Sequence, residues 1–434
     1  MTAETVPARR ARVWLERALL AAVIGGPLLF QAEMVRRLGV NMLIGDEFHY
    51  TPFVHLVRTG GDWSGWIFMQ HNEHRMVPMK LVLAAVAAWA RWNVVAEMYA
   101  SIVVVGLTLW GLWEIHRSAT GRGALGFLPV GLLLCSPAQH FNMLTGMQVA
   151  FYFTALGMVW SCALLGKNSL AGTVQAAGAA FLASFSTATG FVAWPVGLLQ
   201  LIAMRAGLAR VLGWCAAALA CAILYFRGYE NPPLAAPPGF VGVPRFVRFF
   251  LAALGGPLGG ADVAWTVWIG AAVALAAAGW VVFDLRRNTL GRPERAAVHA
   301  LILLGVASAV LVTIGRANFG IEWARESRYV TFTQLALVGL YVLSVGSPVP
   351  KAVTAAHCAL LAAGLFVVFP YGIDQGRVWR WFQYKQKACL LTYETQPVSA
   401  LRDVYTPWQL VHYARYLKHE RLGPFADVEP DARR

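Results

Sequence analysis

Apolar stretches long enough to cross a membrane follow one another along the chain from residue 18 onward. A spanning helix needs about 20 mostly apolar residues. The stretches that meet or approach this length are 18–35, 95–115, 123–141, 149–166, 169–185, 188–204, 209–226, 264–284, 297–315, 329–346 and 352–370. The pattern predicts an all-α, polytopic transmembrane bundle with about 10–12 spans, since lipid-exposed backbone must satisfy its hydrogen bonds within helices.

One further apolar stretch, 76–90, is too short for a full crossing, at about 15 residues. It ends at Arg91, Trp92 and Asn93, which are residues typical of the membrane–water boundary. Residues 76–94 are therefore predicted to form an interfacial or re-entrant helix.

Basic residues between the spans predict the orientation of the bundle. Arg9, Arg10, Arg12 and Arg17 precede the first span, and a second basic cluster occupies 286–295. Short cytoplasmic loops are enriched in arginine and lysine, and an even number of spans separates these clusters, so the N-terminus is predicted to be cytoplasmic. The outer face then collects 36–75, 137–148, 186–190, 227–263, 316–328 and the residues after 370.

Two units follow from this organisation. Residues 1–370 form the transmembrane bundle, with 36–75 as its first outer loop, and 371–434 form an amphipathic helical tail on the outer face. The 227–263 stretch is rich in proline and glycine and is predicted to be a loop without regular structure.

Composition supports the membrane assignment: 58% of the residues are hydrophobic and 13% are charged, against about 25% charged in soluble domains. The net charge of +14 suits anionic lipid or an anionic substrate. Nucleic acid is not predicted as a partner, because no basic helix outside the membrane would bind it. The 6 cysteines are scattered without metal-ligand spacing and are predicted to be apolar filler.

Adjacent carboxylates open the first outer loop at Asp46 and Glu47, just past the end of the first span. A carboxylate beside a low-dielectric surface can act as a general base toward an alcohol or amine. Alternatively, Asp46 caps the following helix and Glu47 lies in its first turn.

The same loop ends in a dense polar run before the short apolar stretch. This run and the histidine that follows the carboxylates are candidates for binding a phosphate or sugar hydroxyls: His49, His71, Asn72, Glu73, His74 and Arg75. The spacing lacks the His-Glu-x-x-His pattern of zinc peptidases. A plain interfacial belt is the alternative.

A third polar island lies between the spans 297–315 and 329–346. Arg316, Arg325 and Arg328, with Tyr329, form a candidate clamp for a phosphate or pyrophosphate. The alternative is a structural network in which Glu322 and Glu326 pair with the arginines.

The chain resembles the GT-C class of membrane glycosyltransferases, in particular uncharacterised bacterial members. The features that carry this resemblance are a first span, an acidic dipeptide that opens an outer loop, the run 71–75 and the segment 315–329. The architecture matches over most of the chain, whereas the motifs cover about a tenth of it. The resemblance implies transfer of a sugar from a polyprenyl-phosphate donor to a glycan or lipid acceptor, with inverting chemistry on the outer face of a bacterial inner membrane. It implies Asp46 as general base and Glu47 as its assistant, or both as ligands of a divalent cation, Mg²⁺ or Mn²⁺. It also implies that Arg316, Arg325 or Arg328 holds the leaving phosphate.

Two other functions compete with this one. A transporter or flippase of lipid-linked saccharides would need similar arginines together with charges inside spans, for which Glu33 and Glu97 are the candidates. A glycan ligase or polymerase of the O-antigen type would depend on arginines and histidine more than on Asp46.

Overall fold

A computed structural model describes residues 6–232 and 242–427, with side chains from Trp14 onward. Three features predicted from sequence lie partly outside these described residues: the side chains of Arg9, Arg10 and Arg12, the middle of the Pro/Gly stretch, and the end of the tail.

The described chain folds into helices. The α-helices are α1 Val6–Leu38, α2 Thr51–Thr59, α3 Ser64–Phe68, α4 Val77–Trp89, α5 Val94–Thr120, α6 Leu128–Leu134, α7 His140–Met143, α8 Val149–Leu165, α9 Leu170–Ser184, α10 Ala193–Ala203, α11 Leu208–Phe226, α12 Val243–Gly259, α13 Val263–Arg286, α14 Pro293–Arg316, α15 Ser327–Gly346, α16 Lys351–Leu391, α17 Val398–Arg402 and α18 Pro407–Glu420. Short 3-10 helices occupy Gly45–Tyr50, Ala124–Phe127, Pro137–Gln139, Gly146–Gln148, Ala188–Val192, Ala317–Phe319, Ile321–Arg325 and Gly423–Phe425.

Within the described ranges, 9 helical segments are long and apolar enough to cross a membrane. The all-α transmembrane bundle predicted from the sequence is thereby confirmed. The predicted spans 169–185 and 188–204 are also helical, but they are shorter apolar helices, Leu170–Ser184 and Ala188–Ala203.

The prediction for 227–263 was wrong from Val243 onward, because these residues form α12. Gly255 of α12 and Gly270 of α13 instead let the two helices pack closely. A Cβ on Gly255 would lie 2.0 Å from the Thr266 carbonyl oxygen, and one on Gly270 would lie 1.8 Å from the Leu251 carbonyl oxygen. Small residues of this kind let helix backbones approach closely in membrane bundles.

α16 has 41 residues and continues without a break through Pro370. At 1.5 Å per residue its length is about 60 Å, roughly twice the hydrocarbon core of a bilayer. Its C-terminal half therefore extends past the end of the bundle that carries the first loop, 39–76. We call this the loop end.

The tail returns from α16 onto the first loop. Tyr405 stacks on Phe48 with ring centroids 5.4 Å apart, and the Asn41 side chain donates a hydrogen bond to the Gly423 carbonyl at 2.8 Å. The Val77 amide donates to Phe185 and the Arg91 carbonyl accepts from Gly423. α4 thus begins and ends at the loop end.

Candidate active site

Two polar clusters lie side by side at the loop end, and a tight turn over residues 71–74 joins them. The backbone of His71 and His74 exchanges two hydrogen bonds, of 2.7 and 2.8 Å, and Asn72 adopts a left-handed conformation with φ of 48°. Residues at positive φ other than glycine are uncommon, and asparagine is among those that tolerate it. The turn directs Asn72 toward one cluster and Glu73 toward the other.

Asp46 forms the centre of the first cluster, which we call the carboxylate cluster (Asp46, His49, His71 and Asn72). Its side chain is 57% exposed, with His71 Nε2 3.5 Å from Oδ2, and Asn72 Nδ2 donates a hydrogen bond of 3.2 Å to the same oxygen. The hydrogen bond from His71 is the main cause that lowers the pKa of Asp46 below its ordinary value of 3.8, against the opposing effect of burial. Asp46 is thus an ionised, accessible carboxylate near neutral pH.

The alternative prediction was wrong for Asp46 and correct for Glu47. Asp46 lies inside the 3-10 helix Gly45–Tyr50 and does not cap that helix or α2. Glu47 lies in the first turn of the 3-10 helix, where its side chain accepts the Ile44 amide. The Asp46 carboxylate instead contacts the turn at residues 71–72.

Glu47 lies in different surroundings from its neighbour. Its side chain is 3% exposed and accepts hydrogen bonds from the backbone amides of Ile44 at 2.7 Å and Met147 at 2.9 Å. Burial is the main cause that raises its pKa to about 7. Glu47 ties the first loop to the segment before α8, and because its two oxygens are engaged there, it does not form a two-carboxylate metal site with Asp46.

Aromatic rings pack around the carboxylate cluster. The ring of His71 is buried against Tyr50 at a centroid distance of 5.3 Å, and His49 lies 5.9 Å from His71. Burial, followed by the charge of His71, lowers the pKa of His49. These contacts fix the position of His71 beneath Asp46.

The second cluster lines a cavity of about 410 Å³ between the loop and the ends of α11, α14 and α15. Its polar lining is Glu73, His74, Thr187, Thr189, Arg316, Arg328 and Tyr329, and its aromatic lining includes Phe151, Phe191, Tyr225, Phe226 and Tyr229. We call it the arginine cavity. Its volume falls in the range of small-molecule sites, which are largely apolar with a few convergent polar groups.

Arg316 is held in place from two sides. Its Nη2 donates to Glu73 at 2.6 Å and its Nε donates to the Tyr329 hydroxyl at 3.2 Å. Burial raises the pKa of Glu73, but the charge and the hydrogen bond of Arg316 are among the interactions that outweigh this effect, so the net pKa is lowered. Glu73 therefore stays ionised and keeps the guanidinium in the cavity.

His74 is a neutral imidazole with a defined tautomer. Its Nδ1 accepts a hydrogen bond of 3.0 Å from the Ala188 amide, and burial lowers its pKa to about 4. The proton of the neutral ring must then reside on Nε2. His74 is thus a hydrogen-bond donor on the cavity wall.

The three predicted arginines of the third island separate into two groups. Arg328 lines the cavity, with Glu326 3.7 Å away and its guanidinium 5.6 Å from the Phe141 ring centroid. Arg325 instead pairs with Glu322 and donates to the Gly260 and Ala261 carbonyls. Two of the three arginines therefore face the cavity, and the third fastens its loop to the end of α12.

Arg75 also lies away from the cavity opening. It is 6% exposed and donates to the backbone carbonyls of Phe68, Tyr225 and Arg227 at 2.6–3.0 Å. Its donors hold the first loop on the end of α11.

Sequence reasoning missed Tyr225 and Tyr229. The Tyr225 hydroxyl donates to the Glu73 carbonyl at 2.6 Å, and both rings line the cavity. Aromatic residues at the end of a span resemble an interfacial belt in sequence. Tyr229 lies beyond the end of α11 at Phe226, so no helical spacing in the sequence indicated a shared wall.

Buried Lys80 was missed as well. Its ammonium group donates to the carbonyls of Trp66 at 3.0 Å and Met69 at 2.5 Å. Lys80 thereby fixes α3 beneath the first loop. In the sequence it is a single charged residue within an apolar stretch, which gives no indication of this contact.

Comparison with solved structures identifies the fold. The chain is similar to the crystal structure of the Archaeoglobus fulgidus oligosaccharyltransferase in the apo form, with a TM-score of 0.50, 13% identity and 96% of this chain covered. It spans 62% of that protein's length. The oligosaccharyltransferase AglB from the same organism, in complex with an inhibitory peptide and a dolichol-phosphate, gives a TM-score of 0.46 at 14% identity, covering 94% of this chain and 61% of that chain.

No protein-family model and no curated protein matches the sequence. The oligosaccharyltransferase has the GT-C fold, and this membrane protein shares it. The GT-C resemblance drawn from the loop motifs is confirmed at the level of the fold.

Proposed function

We propose that this protein is a membrane glycosyltransferase that moves a sugar from a polyprenyl-phosphate-linked donor to a glycan or lipid acceptor. The observation that carries the proposal is the pairing of an ionised, accessible carboxylate, Asp46, with an adjacent cavity that holds Arg316 and Arg328. A base and a phosphate clamp are the two components that a glycosyl transfer from a lipid phosphate requires.

In the reaction, the acceptor hydroxyl attacks the anomeric carbon of the donor sugar in a single displacement that inverts this centre. Asp46 takes the hydroxyl proton as the new carbon–oxygen bond forms. The bond from the anomeric carbon to the phosphate oxygen breaks, and the phosphate leaves with its electron pair. Arg316, Arg328 and the Nε2–H of His74 stabilise the charge that develops on it.

We favour a glycan or lipid acceptor. We place the reaction on the outer face of a bacterial inner membrane. In this orientation the basic N-terminus is on the cytoplasmic side.

The proposed reaction does not use Asp46 and Glu47 as a joint metal site, because both oxygens of Glu47 accept backbone amides inside the protein. The described residues contain no group of three or more His, Cys, Asp or Glu side chains placed to hold a metal ion. The steps above are written for side chains alone.

The transporter alternative rests on buried charges inside spans. Glu97 in α5 is 3% exposed, and Asp284 in α13 is 1% exposed. However, Asp284 forms an ion pair with Arg295 and a hydrogen bond with His299, each at 2.6 Å. Glu33, the other candidate, is paired with Arg36 and Arg37 near the end of α1.

One experiment separates these functions. The purified protein is reconstituted in liposomes with a panel of radiolabelled polyprenyl-phosphate sugars, and both label transfer to lipid or glycan acceptors and label movement between leaflets are measured. Transfer is expected with at least one donor. Movement of labelled lipid without transfer would contradict the proposal and favour a flippase.

A further inference from the structure

A second cavity lies at the opposite end of the bundle from the candidate active site. It has a volume of about 570 Å³ between α10, α13 and α14, and its walls are apolar except for Gln200 and His299. Leu199 and Ile202 on its rim are 51% and 57% exposed. The cavity therefore opens sideways, where lipid surrounds a spanning bundle.

A buried hydrogen-bond acceptor in this cavity lacks a partner. Gln200 is 3% exposed and its Nε2 donates to the Cys162 carbonyl at 3.0 Å, but its Oε1 has no hydrogen-bond partner among the described residues. Buried polar atoms are normally satisfied, so such an atom indicates a bound group. Gln200 lies three residues before the end of α10, about 5 Å along the helix axis. This depth places it near the headgroup region of a lipid leaflet.

Three arginines border the same end of the cavity. Arg205 lies two residues after the end of α10, and Arg287 and Arg292 flank the loop that closes the cavity. A Cβ on Gly291 would lie 2.8 Å from the Ala203 carbonyl oxygen, so this loop rests on the end of α10.

All three arginines are exposed, and in the described part of the chain no carboxylate pairs with any of them. Arg295, by contrast, is neutralised by Asp284. An apolar cavity open to lipid, bordered by unpaired cations, is complementary to a molecule with an acyl chain and an anionic headgroup.

We propose that this cavity binds one anionic phospholipid of the surrounding bilayer. An acyl chain fills the space between α10, α13 and α14, and the phosphate lies against Arg205 and Arg292. A headgroup hydroxyl donates to Gln200 Oε1. A glycerol headgroup supplies such a hydroxyl, whereas choline carries a positive charge and no donor.

Native mass spectrometry of the full-length protein in detergent tests this site, with phosphatidylglycerol or phosphatidylcholine added in increasing amounts. Wild type is expected to bind one phosphatidylglycerol at least tenfold more tightly than phosphatidylcholine. Arg205→Ala/Arg292→Ala is expected to weaken phosphatidylglycerol binding by about thirtyfold. Excess inorganic phosphate should not displace the lipid, because it lacks the acyl chain. Displacement by phosphate, or equal binding of the two lipids, would overturn the proposal.

A matched control removes the same charge from the same end of the bundle, away from the cavity. Arg117→Ala/Arg122→Ala is expected to bind phosphatidylglycerol like wild type. Equal losses in both double variants would show a general basic belt and overturn the site. Ala278→Phe fills the cavity with the arginines intact and should weaken binding at least tenfold, whereas Leu275→Phe, on the exposed side of α13, should not. Unchanged binding in Ala278→Phe would also overturn the proposal.

Discussion

The buried carboxyl group of Glu47 makes the stability of the first loop depend on pH, and Glu47→Gln is predicted to remove this dependence. Glu47 accepts the Ile44 and Met147 amides, and burial raises its pKa from 4.5 to about 7. Between these two pH values the folded protein keeps a proton that the unfolded chain has lost. The stabilisation is therefore complete below about pH 4.5 and is lost as pH rises through about 7.

The size of the effect follows from the two pKa values. Each pKa unit corresponds to about 1.4 kcal/mol, so the difference between the ordinary pKa of 4.5 and the folded-state pKa of about 7 corresponds to about 3 kcal/mol in the free energy of unfolding. For a chain of this length, about 3 kcal/mol changes the unfolding temperature by about 3 °C. Asp46 next to it does not contribute in this window, because its pKa is lowered from 3.8 and its stabilising effect changes only at more acidic pH.

Thermal unfolding of detergent-solubilised protein between pH 5 and 8 provides the measurement. As pH rises across this range, the unfolding temperature of wild type should fall by about 3 °C more than that of Glu47→Gln. The reason is that glutamine has no proton to lose. Glu114→Gln, which changes a carboxylate on α5 away from the site, should keep the wild-type slope. Parallel curves for wild type and Glu47→Gln would refute the reasoning that burial of Glu47 controls its titration.

Further predictions concern the two clusters. Arg328→Ala should lower the rate of sugar transfer by about a hundredfold, since removing one donor to a developing anion costs 10² to 10³, whereas Arg325→Ala, outside the cavity, should stay within about threefold of wild type in the same assay. Equal losses of transfer rate in Arg328→Ala and Arg325→Ala would show that the arginine cavity does not take part in the reaction. His71→Ala should shift the acidic limb of the pH–rate profile upward, because the hydrogen bond from His71 is the main cause that lowers the pKa of Asp46. An unchanged profile would exclude Asp46 as the titrating base.

Hydropathy was sufficient to predict the fold class, because lipid requires a spanning helix to be apolar over a fixed length. It failed at α12, where glycine and proline suggested a loop. Gly255 is needed instead for a close backbone approach to Thr266. Local composition does not distinguish these two uses of glycine, since the packing partner lies on another helix.

The sequence was sufficient to predict which residue types form the candidate site. It was not sufficient to predict which of them are exposed, which are buried and which face the cavity. Adjacent positions gave no sign that Asp46 is exposed and Glu47 buried, because this depends on the Met147 amide, 100 residues further along the chain. Arg325 and Arg328 are only three residues apart in sequence. The fold nevertheless directs Arg325 to the end of α12 and Arg328 into the arginine cavity. Long-range contacts of this kind leave no local pattern.

The central claim is that Asp46 is the base of a glycosyl transfer, and its most direct test compares Asp46→Asn with Asp62→Asn. Asp62 lies in the same loop, where its carboxylate accepts the Ser64 amide at 2.9 Å, so it controls for the loss of one negative charge. With the donor that wild type uses in liposomes, Asp46→Asn should retain its fold and lose about 10² to 10⁴ in transfer rate. Asp62→Asn should transfer at the wild-type rate. Transfer by Asp46→Asn at the wild-type rate would contradict the account.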